Sequence, residues 1–225
     1  MAEVAPRRIL LSWSSGKDSA WSLHVLRSDP RFEVCGLLTT VNETHERVAM
    51  HGVRERLLEA QARAAGLPLR RVALPHPCSN EEYERRMSAA LEPVLADGIT
   101  GVAFGDLFLE DIRRYRESRS AEVGLEAHFP IWGLDTAELS EAMLDAGLEA
   151  VLTCVDPRQV PAELAGRSYD RALLADLPAG ADPCGENGEF HTFCHAGPMF
   201  DAPVPVVPGE RVEREGFVFA DLLPG

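Results

Sequence analysis

Runs of apolar residues with the length of a β-strand alternate with helix-like stretches along most of the chain. The predicted strands cover residues 8–11, 32–40, 67–74, 99–104 and 148–155. The predicted helices cover residues 20–26, 50–65, 81–95 and 136–146. Strands and helices that alternate at this spacing are typical of a parallel sheet covered on both faces. The pattern therefore predicts an α/β protein with a doubly wound, mostly parallel sheet. In the proline-rich tail it predicts one further strand, residues 211–220.

A polar loop at residues 12–19 joins the first predicted strand to the first predicted helix and reads Ser-Trp-Ser-Ser-Gly-Lys-Asp-Ser. The start of a helix carries free backbone N–H groups and a partial positive charge, which together attract phosphate. The loop adds serine hydroxyls and the full charge of Lys17. Gly16 lets the backbone approach a ligand closely and can take a positive φ. The loop therefore predicts a phosphate-binding site.

Lys17 is the only lysine among the 22 lysine and arginine residues of the chain. An ammonium is a compact charge and a guanidinium a planar fork, so the two are not interchangeable in a narrow loop. The loop is not a Walker A motif, since Leu11 occupies the position of the first glycine and Asp18 follows the lysine. It is not a dinucleotide-binding fingerprint either, because no second glycine precedes Gly16 at that spacing.

Polar residues also follow two other predicted strands. Thr39 begins a stretch that continues to Arg47, and Gly105 and Asp106 follow the strand at residues 99–104. In parallel sheets, ligands bind beyond the carboxyl ends of the strands. We therefore expect these residues and the phosphate loop to surround one pocket.

Residues 110–119 are dense in charge, which is typical of a solvated helix face. A spacing of four residues predicts contacts of Asp111 with Tyr115 and of Arg113 with Glu117. From composition alone, we expect this helix to face solvent.

A second unusual stretch, residues 182–193, reads Asp-Pro-Cys-Gly-Glu-Asn-Gly-Glu-Phe-His-Thr-Phe. One interpretation is a loop that carries acid–base or Mg²⁺-binding groups. A second is a zinc site, with Cys184, His191, Cys194 and His195 as candidate ligands. A third is an Asn-Gly turn in a β-hairpin.

The length, net charge and composition of the chain narrow the classes of protein to which it can belong. A chain of 225 residues suits one α/β domain with an appended subdomain, and a net charge of −14 argues against binding to a nucleic acid backbone. No apolar stretch approaches the ~20 residues that span a bilayer, and Met1–Arg8 lacks the apolar segment of a signal peptide. We therefore expect a cytoplasmic protein without membrane contact. Its five cysteines form no C-x-x-C pair and are expected to be free thiols.

The loop Ser14–Ser19 resembles the pyrophosphate-binding (PP) loop of the N-type ATP pyrophosphatases, Ser-Gly-Gly-x-Asp-Ser, with Ser15 in place of the first glycine. Three more blocks extend the likeness: residues 50–52, residues 105–132 with Tyr115, Arg116 and Arg119, and residues 185–192. Over almost its whole length the chain is similar to the diphthine–ammonia ligase family, also described as the diphthamide-synthase ATP-binding domain.

The resemblance implies a fold and a domain organisation. The fold is that of the adenine nucleotide alpha hydrolases (HUP-like), with a small C-terminal α+β subdomain. We expect a nucleotide-binding domain over residues 1–133 and an acceptor-binding subdomain over residues 134–225, which carries the Gly185–Thr192 block. Ser15 is expected to add a hydrogen-bond donor to the loop.

The resemblance also implies a reaction. ATP would adenylate a carboxylate acceptor on a protein or a small molecule, ammonia would attack the mixed anhydride, and AMP and pyrophosphate would leave. The expected nucleotide-binding residues are Ser12, Ser14, Ser15, Gly16, Lys17, Asp18, Ser19, Thr39, Gly105 and Asp106. The expected catalytic residues are Lys17, Asp18, Glu186, Glu189 and His191. Asp18 and Asp106 are the expected Mg²⁺ ligands.

Two other functions stay open at this point. One is modification of tRNA or of another small acceptor by a PP-loop enzyme, and the other is a non-catalytic adenine-nucleotide sensor. The arginine-rich composition is typical of a bacterial genome of high GC content, and bacteria are not expected to make diphthamide, so the acceptor is left open. A homodimer is a further expectation, whereas a nucleic acid partner is not expected.

Overall fold

The computed structural model describes residues 5–42, 47–48, 53–75 and 77–225. Residues 43–46 of the polar stretch after the second predicted strand lie outside the described residues, as does the Met50–Gly52 block. In chain order the elements are β1 (Arg7–Ser12), α1 (Lys17–Arg27), β2 (Phe32–Asn42), β3 (Arg47–Val48), α2 (Glu55–Ala64), β4 (Leu69–Leu74), α3 (Asn80–Ala96), β5 (Gly101–Ala103), α4 (Glu110–Glu122), β6 (Glu126–His128), α5 (Thr136–Asp145), β7 (Glu149–Val155), a 3₁₀ turn (Ala162–Leu164), α6 (Arg171–Asp176), β8 (Phe190–Ala196), β9 (Val206–Arg214) and β10 (Phe217–Pro224).

The first sheet contains five parallel strands in the order β4–β2–β1–β5–β6, and the short β3 pairs antiparallel with the end of β2. Successive residues of β1 face opposite sides of the sheet. Ile9 and Leu11 join a core that includes α1 and α2, whereas Leu10 joins a core that includes α3. Helices therefore cover both faces, and the predicted doubly wound α/β fold is confirmed.

The second sheet is antiparallel, with the order β8–β7–β10–β9. The predicted strand at residues 148–155 is confirmed as β7. The prediction of one strand over residues 211–220 is wrong, because β9 and β10 form a hairpin that turns at Glu215 and Gly216. Both turn residues have a positive φ, 52° and 81°. A glutamate rarely adopts this conformation, so apolar residues on both sides of the turn gave the pattern of one continuous strand.

Single side chains determine where two of the helices begin. The Ser79 hydroxyl accepts a hydrogen bond from the Glu82 N–H at 3.2 Å and so caps α3. An Asp135 carboxylate oxygen accepts from Ala137 and Glu138 at 3.0 Å each, which caps α5. Both caps satisfy backbone N–H groups that have no partner inside the helix.

Helix α1 lies between the two sheets. It packs against β1 and β2 on one side and against β8 on the other. One continuous hydrophobic core therefore contains Leu23 of α1, Ile9 of the first sheet, and Leu152 and Phe193 of the second, all of them fully buried. The start of α1 is consequently the place where the two sheets come together.

No helix of the residues that the structure describes is long and apolar enough to cross a membrane. The five cysteines are all free thiols, as expected.

Candidate functional site

A cavity of about 430 Å³ lies beyond the carboxyl ends of β1, β2 and β5. Its walls include the phosphate loop, the end of β2, the Gly105–Asp106 segment, and one face each of α3 and α4. Residues of the Gly185–Thr192 block form the remaining wall. The structure therefore brings the two unusual stretches of the sequence to one place, as the strand-end rule predicts for the phosphate loop and Gly105.

The phosphate loop is held in shape by its own hydroxyls. Ser14 Oγ accepts from the Gly16 N–H at 3.3 Å and lies 3.1 Å from Ser19 Oγ. Ser19 Oγ donates to the Gly16 carbonyl at 3.0 Å. Gly16 is the N-cap of α1 with φ of −81°, so the loop does not use the positive φ that glycine permits at this position.

The left-handed residue of the loop is Ser15, with φ of 71°. Its carbonyl accepts from the side-chain amide of Gln61 and from the Cys194 N–H, at 2.9 Å each. Its side chain is fully buried outside the cavity walls, and its hydroxyl has no hydrogen-bond partner among the residues described. Ser15 therefore shapes the loop, and the expectation that its hydroxyl would add a donor to the site is wrong in this structure.

Lys17 joins the phosphate loop to the Gly185–Thr192 block. Its backbone N–H donates to Thr192 Oγ1 at 3.1 Å, and its ammonium donates to the Cys184 carbonyl. The same ammonium lies 2.9 Å from each carboxylate oxygen of Asp18 and 5.6 Å from the centre of the Phe190 ring. Lys17 is only 1% exposed, so a single buried side chain connects the two walls of the cavity.

Lys17 keeps its positive charge in this position. Burial alone lowers the pKa of a lysine, but the neighbouring carboxylate of Asp18 and other negative groups outweigh burial and raise it above its ordinary value. Both Lys17 and Asp18 line the cavity. The cavity therefore contains a fixed ammonium beside a carboxylate that is 27% exposed.

Glu186 reaches across to the loop after β5. Its Oε1 accepts from the Leu107 N–H at 2.7 Å. Burial raises the pKa of Glu186 to about 7, and the nearby charges of Asp18 and Asp106 act in the same direction. Three carboxyl groups consequently face the same part of the cavity.

Glu189 and His191 occupy different positions. Glu189 is buried away from the cavity walls, where its Oε1 accepts from the Asp182 N–H at 2.8 Å and from the Asn187 amide at 3.0 Å. Glu189 therefore stabilises the loop of residues 182–189 through hydrogen bonds. His191 does line the cavity, and burial with the nearby charge of Lys17 lowers its pKa to about 4. Its imidazole is consequently neutral at pH 7.

Gly105 and Asp106 approach the loop from β5. A Cβ on Gly105 would lie 3.0 Å from the Asp18 carbonyl carbon and 3.1 Å from the Ser19 nitrogen, so only glycine fits here without a shift. Asp106 Oδ2 lies 3.6 Å from Nε of Arg116 and is buried without a hydrogen bond among the described residues. Burial raises the pKa of Asp106, although Arg116 opposes this.

Helix α4 has two faces. The outer face is solvated as predicted, with Arg113 bonded to Glu117 at 2.8 Å, whereas Asp111 pairs with Arg114 and not with Tyr115. The inner face lines the cavity with Tyr115, Arg116 and Arg119, and the Arg116 guanidinium lies 4.9 Å from the centre of the Phe104 ring. The charge pattern of residues 110–119 does not predict the inner face of α4, because a helix this rich in charge can expose every one of these positions to solvent.

The end of β2 contributes Thr39, whose hydroxyl is buried at the cavity and has no hydrogen-bond partner within the described residues. Ser12 lines the cavity at the end of β1. A buried hydroxyl without a partner costs free energy unless a ligand satisfies it. The role of Thr39 in nucleotide binding stays a prediction, and its buried hydroxyl at the cavity is compatible with it.

The structure does not support the zinc interpretation of the C-terminal block. No group of three or more metal-binding side chains occurs among the described residues. The thiols of Cys184 and Cys194 instead donate to the carbonyls of Thr136 and Ala196, at 3.5 Å each. The predicted Mg²⁺ ligands Asp18 and Asp106 both line the cavity, and Asp106 has a buried carboxylate oxygen without a hydrogen-bond donor among the described residues, which is compatible with a magnesium ligand; the Mg²⁺ site itself stays a prediction.

Comparison with protein families covers nearly the whole chain. The family model described as "Diphthamide synthase N-terminal domain" matches residues 7–127, and that described as "Diphthamide synthase C-terminal domain" matches residues 135–221. A comparison with curated proteins gives no match. The first family model alone covers more than half of the chain and contains the phosphate loop, and the second contains the Gly185–Thr192 block. The chain therefore belongs to the diphthamide synthase family, the diphthine–ammonia ligases, and is an ATP-dependent enzyme of the ATP pyrophosphatase type.

Proposed function

We propose that this protein amidates a carboxylate acceptor with ammonia and converts ATP to AMP and pyrophosphate. The observation that carries the proposal is the buried link through Lys17, which places the phosphate loop and the Gly185–Thr192 block on one cavity. A ligase of this kind must bring the α-phosphate of ATP and the acceptor carboxylate into contact. The phosphate loop and the Gly185–Thr192 block meet that requirement, because both line the same cavity.

The phosphate loop would bind the departing pyrophosphate. The N-terminus of α1 supplies partial positive charge, the Ser14 hydroxyl can donate, and the Lys17 ammonium adds a full positive charge. Negative charge grows on the leaving group as the bond to the α-phosphate breaks. Fixed donors and a fixed cation stabilise that charge in the transition state.

Asp18 and Asp106 would hold Mg²⁺ beside the phosphates. A bound divalent cation neutralises phosphate charge and orients the reacting groups. The carboxylates are suited to this because they lie at the same cavity and hard oxygen ligands are what Mg²⁺ prefers.

Glu186 and His191 would handle the proton of the nitrogen donor. Ammonia attacks only after ammonium loses a proton, so a base with a pKa near neutrality is useful. Glu186 has a pKa of about 7, and His191 is neutral because burial lowers its pKa to about 4. Glu189 acts as a positioning residue, because it accepts hydrogen bonds from Asp182 and Asn187 in the loop that carries Glu186.

The reaction is tested by analysing the products of ATP. The protein is incubated with ATP, Mg²⁺, ¹⁵N-ammonium and a desalted extract of the source cells from which small ATPases have been removed. We expect AMP and pyrophosphate in equal amounts, an increase with extract and with ammonium, and ¹⁵N in an amide. Production of ADP and phosphate would contradict the proposal. ATP binding without turnover would favour the nucleotide sensor.

Two variants distinguish the effect of a charge inside the cavity from that of a nearby charge outside it. Asp106→Asn removes a charge at the cavity and should lower turnover by about 100-fold. Asp111→Asn removes a charge from the solvated outer face of α4, where the side chain is 91% exposed, and should leave turnover within about twofold. Equal losses in both variants would show that charge near α4, and not the site, controls the rate.

A further inference from the structure

Strand β9 is the open edge of the second sheet. It pairs with β10 on one side only, within the residues that the structure describes. The opposite edge, β8, is covered, since the Cys194 N–H donates to the Ser15 carbonyl at 2.9 Å and the His195 carbonyl accepts from Val204 at 2.7 Å. An edge strand presents unpaired N–H and C=O groups that can pair with another strand.

The edge strand also carries charges that the chain itself does not pair. Residues 210–214 read Glu-Arg-Val-Glu-Arg, and all four charged side chains are exposed. Most described arginines form ion pairs within the chain, for example Arg171 with Glu141 at 2.9 Å. Neither arginine of residues 210–214 has such a partner in the described part of the protein.

The order of these charges is complementary to itself. When two copies of β9 lie antiparallel with Val212 opposite Val212, Glu210 of one copy lies opposite Arg214 of the other. Arg211 likewise lies opposite Glu213. Directly opposite residues of an antiparallel pair share a face and are close enough for ion pairs. A two-fold axis at Val212 thus gives four complementary pairs.

Neighbouring registers place like charges together. A pair centred on Arg211 or on Glu213 sets identical residues opposite each other. A pair centred between two residues is not possible, because it would set side chains from opposite faces of the sheet directly opposite each other. Like charges directly opposite destabilise a strand pair, so the charge order selects the register centred on Val212.

We infer that the protein forms a two-fold homodimer in which β9 of one copy pairs antiparallel with β9 of the other around Val212. The two four-stranded sheets become one sheet of eight strands. Val207, which is 48% exposed, then lies beside the turn of the second copy and adds apolar contact. Because strand pairing buries a small area, we expect micromolar affinity that weakens as salt screens the ion pairs. The inference is independent of the reaction proposed above.

A charge exchange tests the dimer with the full chain. The first variant combines Arg211→Glu with Arg214→Glu, and the second combines Glu210→Arg with Glu213→Arg. Sedimentation equilibrium at about 100 µM, well above a micromolar Kd, should give the wild type a mass near twice the 24.6 kDa of one chain. Each variant alone should show half of that mass. An equal mixture of the two should return to the dimer mass, since all four pairs are again complementary.

Three results would overturn the inference: a monomeric wild type, a variant that stays dimeric alone, or a mixture that stays monomeric. All four substituted side chains are exposed, so both variants should fold. Circular dichroism and thermal midpoints near those of the wild type are the control for folding.

Discussion

At the scale of single residues, Ser15 has a strained backbone conformation, and its hydroxyl makes no contact among the described residues that offsets the strain. A left-handed φ of 71° costs a residue with a Cβ about 1–2 kcal/mol relative to glycine. The hydroxyl is buried and has no hydrogen-bond partner among the described residues, which adds to that cost. A glycine at this position would carry no such cost.

We therefore predict that Ser15→Gly stabilises the protein. The gain should be about 1 kcal/mol, because glycine relieves the strain but also loosens the unfolded chain. A change of this size raises the thermal midpoint of a chain of this length by about 2–4 °C. Ser28→Gly is the matched control, since Ser28 ends α1 with an ordinary φ of −85° and should lose stability. Equal losses in both variants would contradict the strain at Ser15.

Glu186 and His191 make the stability of the protein depend on pH in opposite senses. The folded pKa of Glu186 is about 7 against an ordinary value of 4.5, so the folded state binds more protons between these values and stability falls as pH rises. The folded pKa of His191 is about 4 against 6.5, so the folded state binds fewer protons there and stability rises with pH. In the wild type the two trends oppose each other between pH 4.5 and 6.5.

Removing either group should expose the other trend. Glu186→Gln is expected to leave a stability that rises from pH 4.5 to 6.5, and His191→Gln one that falls from pH 4.5 to 7. Urea midpoints measured across this range, with the wild type beside both variants, give the two slopes. Profiles of the same sign in the two variants would show that these pKa values are not the cause.

At the scale of secondary-structure elements, Gln61 connects three of them. It lies in α2, accepts from the Trp13 indole at 2.9 Å, and donates to the carbonyls of Ser15 at 2.9 Å and Cys194 at 2.6 Å. Trp13 and Ser15 belong to the phosphate loop, and Cys194 lies in β8. All of these groups are buried, so the bonds have no water to replace them.

We predict that Gln61→Leu destabilises the protein by about 2–4 kcal/mol. The leucine fills a similar volume but leaves the indole N–H and two carbonyls with fewer bonds. Arg63→Ala, at an exposed position of the same helix, should change the free energy of unfolding by less than about 0.5 kcal/mol. Denaturant unfolding of both variants measures the difference, and equal effects would mean that α2 as a whole, and not this side chain, is responsible.

Elements with a strong local signal could be predicted from the sequence. Ser79 and Asp135 cap α3 and α5 through contacts within three residues, and glycine or proline marks most of the strand ends. The turn at Glu215 could not be predicted, because a glutamate with positive φ has no pattern. The cavity face of α4 could not be predicted either, because an arginine in a charged helix gives the same sequence pattern whether it faces solvent or, like Arg116 and Arg119, a cavity.

At the scale of the whole molecule, the two sheets share one core. That core runs from Ile9 and Leu11 of β1 through Leu23 of α1 to Leu152 and Phe193 of the second sheet. Neither sheet buries its inner face without the other. The domain boundary near residue 133 that the sequence suggests is still a prediction, and it need not mark units that fold separately.

We predict that residues 134–225 do not fold on their own. A fragment of this range would expose the apolar face that α1 covers, including Phe193, and would lack the bonds of Thr192 and Cys194 to the loop. Far-UV circular dichroism and amide exchange of the isolated fragment measure its structure. The intact chain should unfold in a single transition seen equally by fluorescence and by circular dichroism. A stable fragment, or two separate transitions, would contradict the shared core.

The long sequence separation between Lys17 and Thr192 has a consequence for the chain as it is being synthesised. The groups that hold the phosphate loop, Thr192, Cys194 and the Cys184 carbonyl, leave the ribosome about 170 residues after the loop itself. At ≈ 5–20 residues per second, they follow at least several seconds later. A nascent chain that does not yet include Thr192 therefore lacks contacts that hold the phosphate loop, so the cavity takes its final shape only after parts of both family domains have been synthesised.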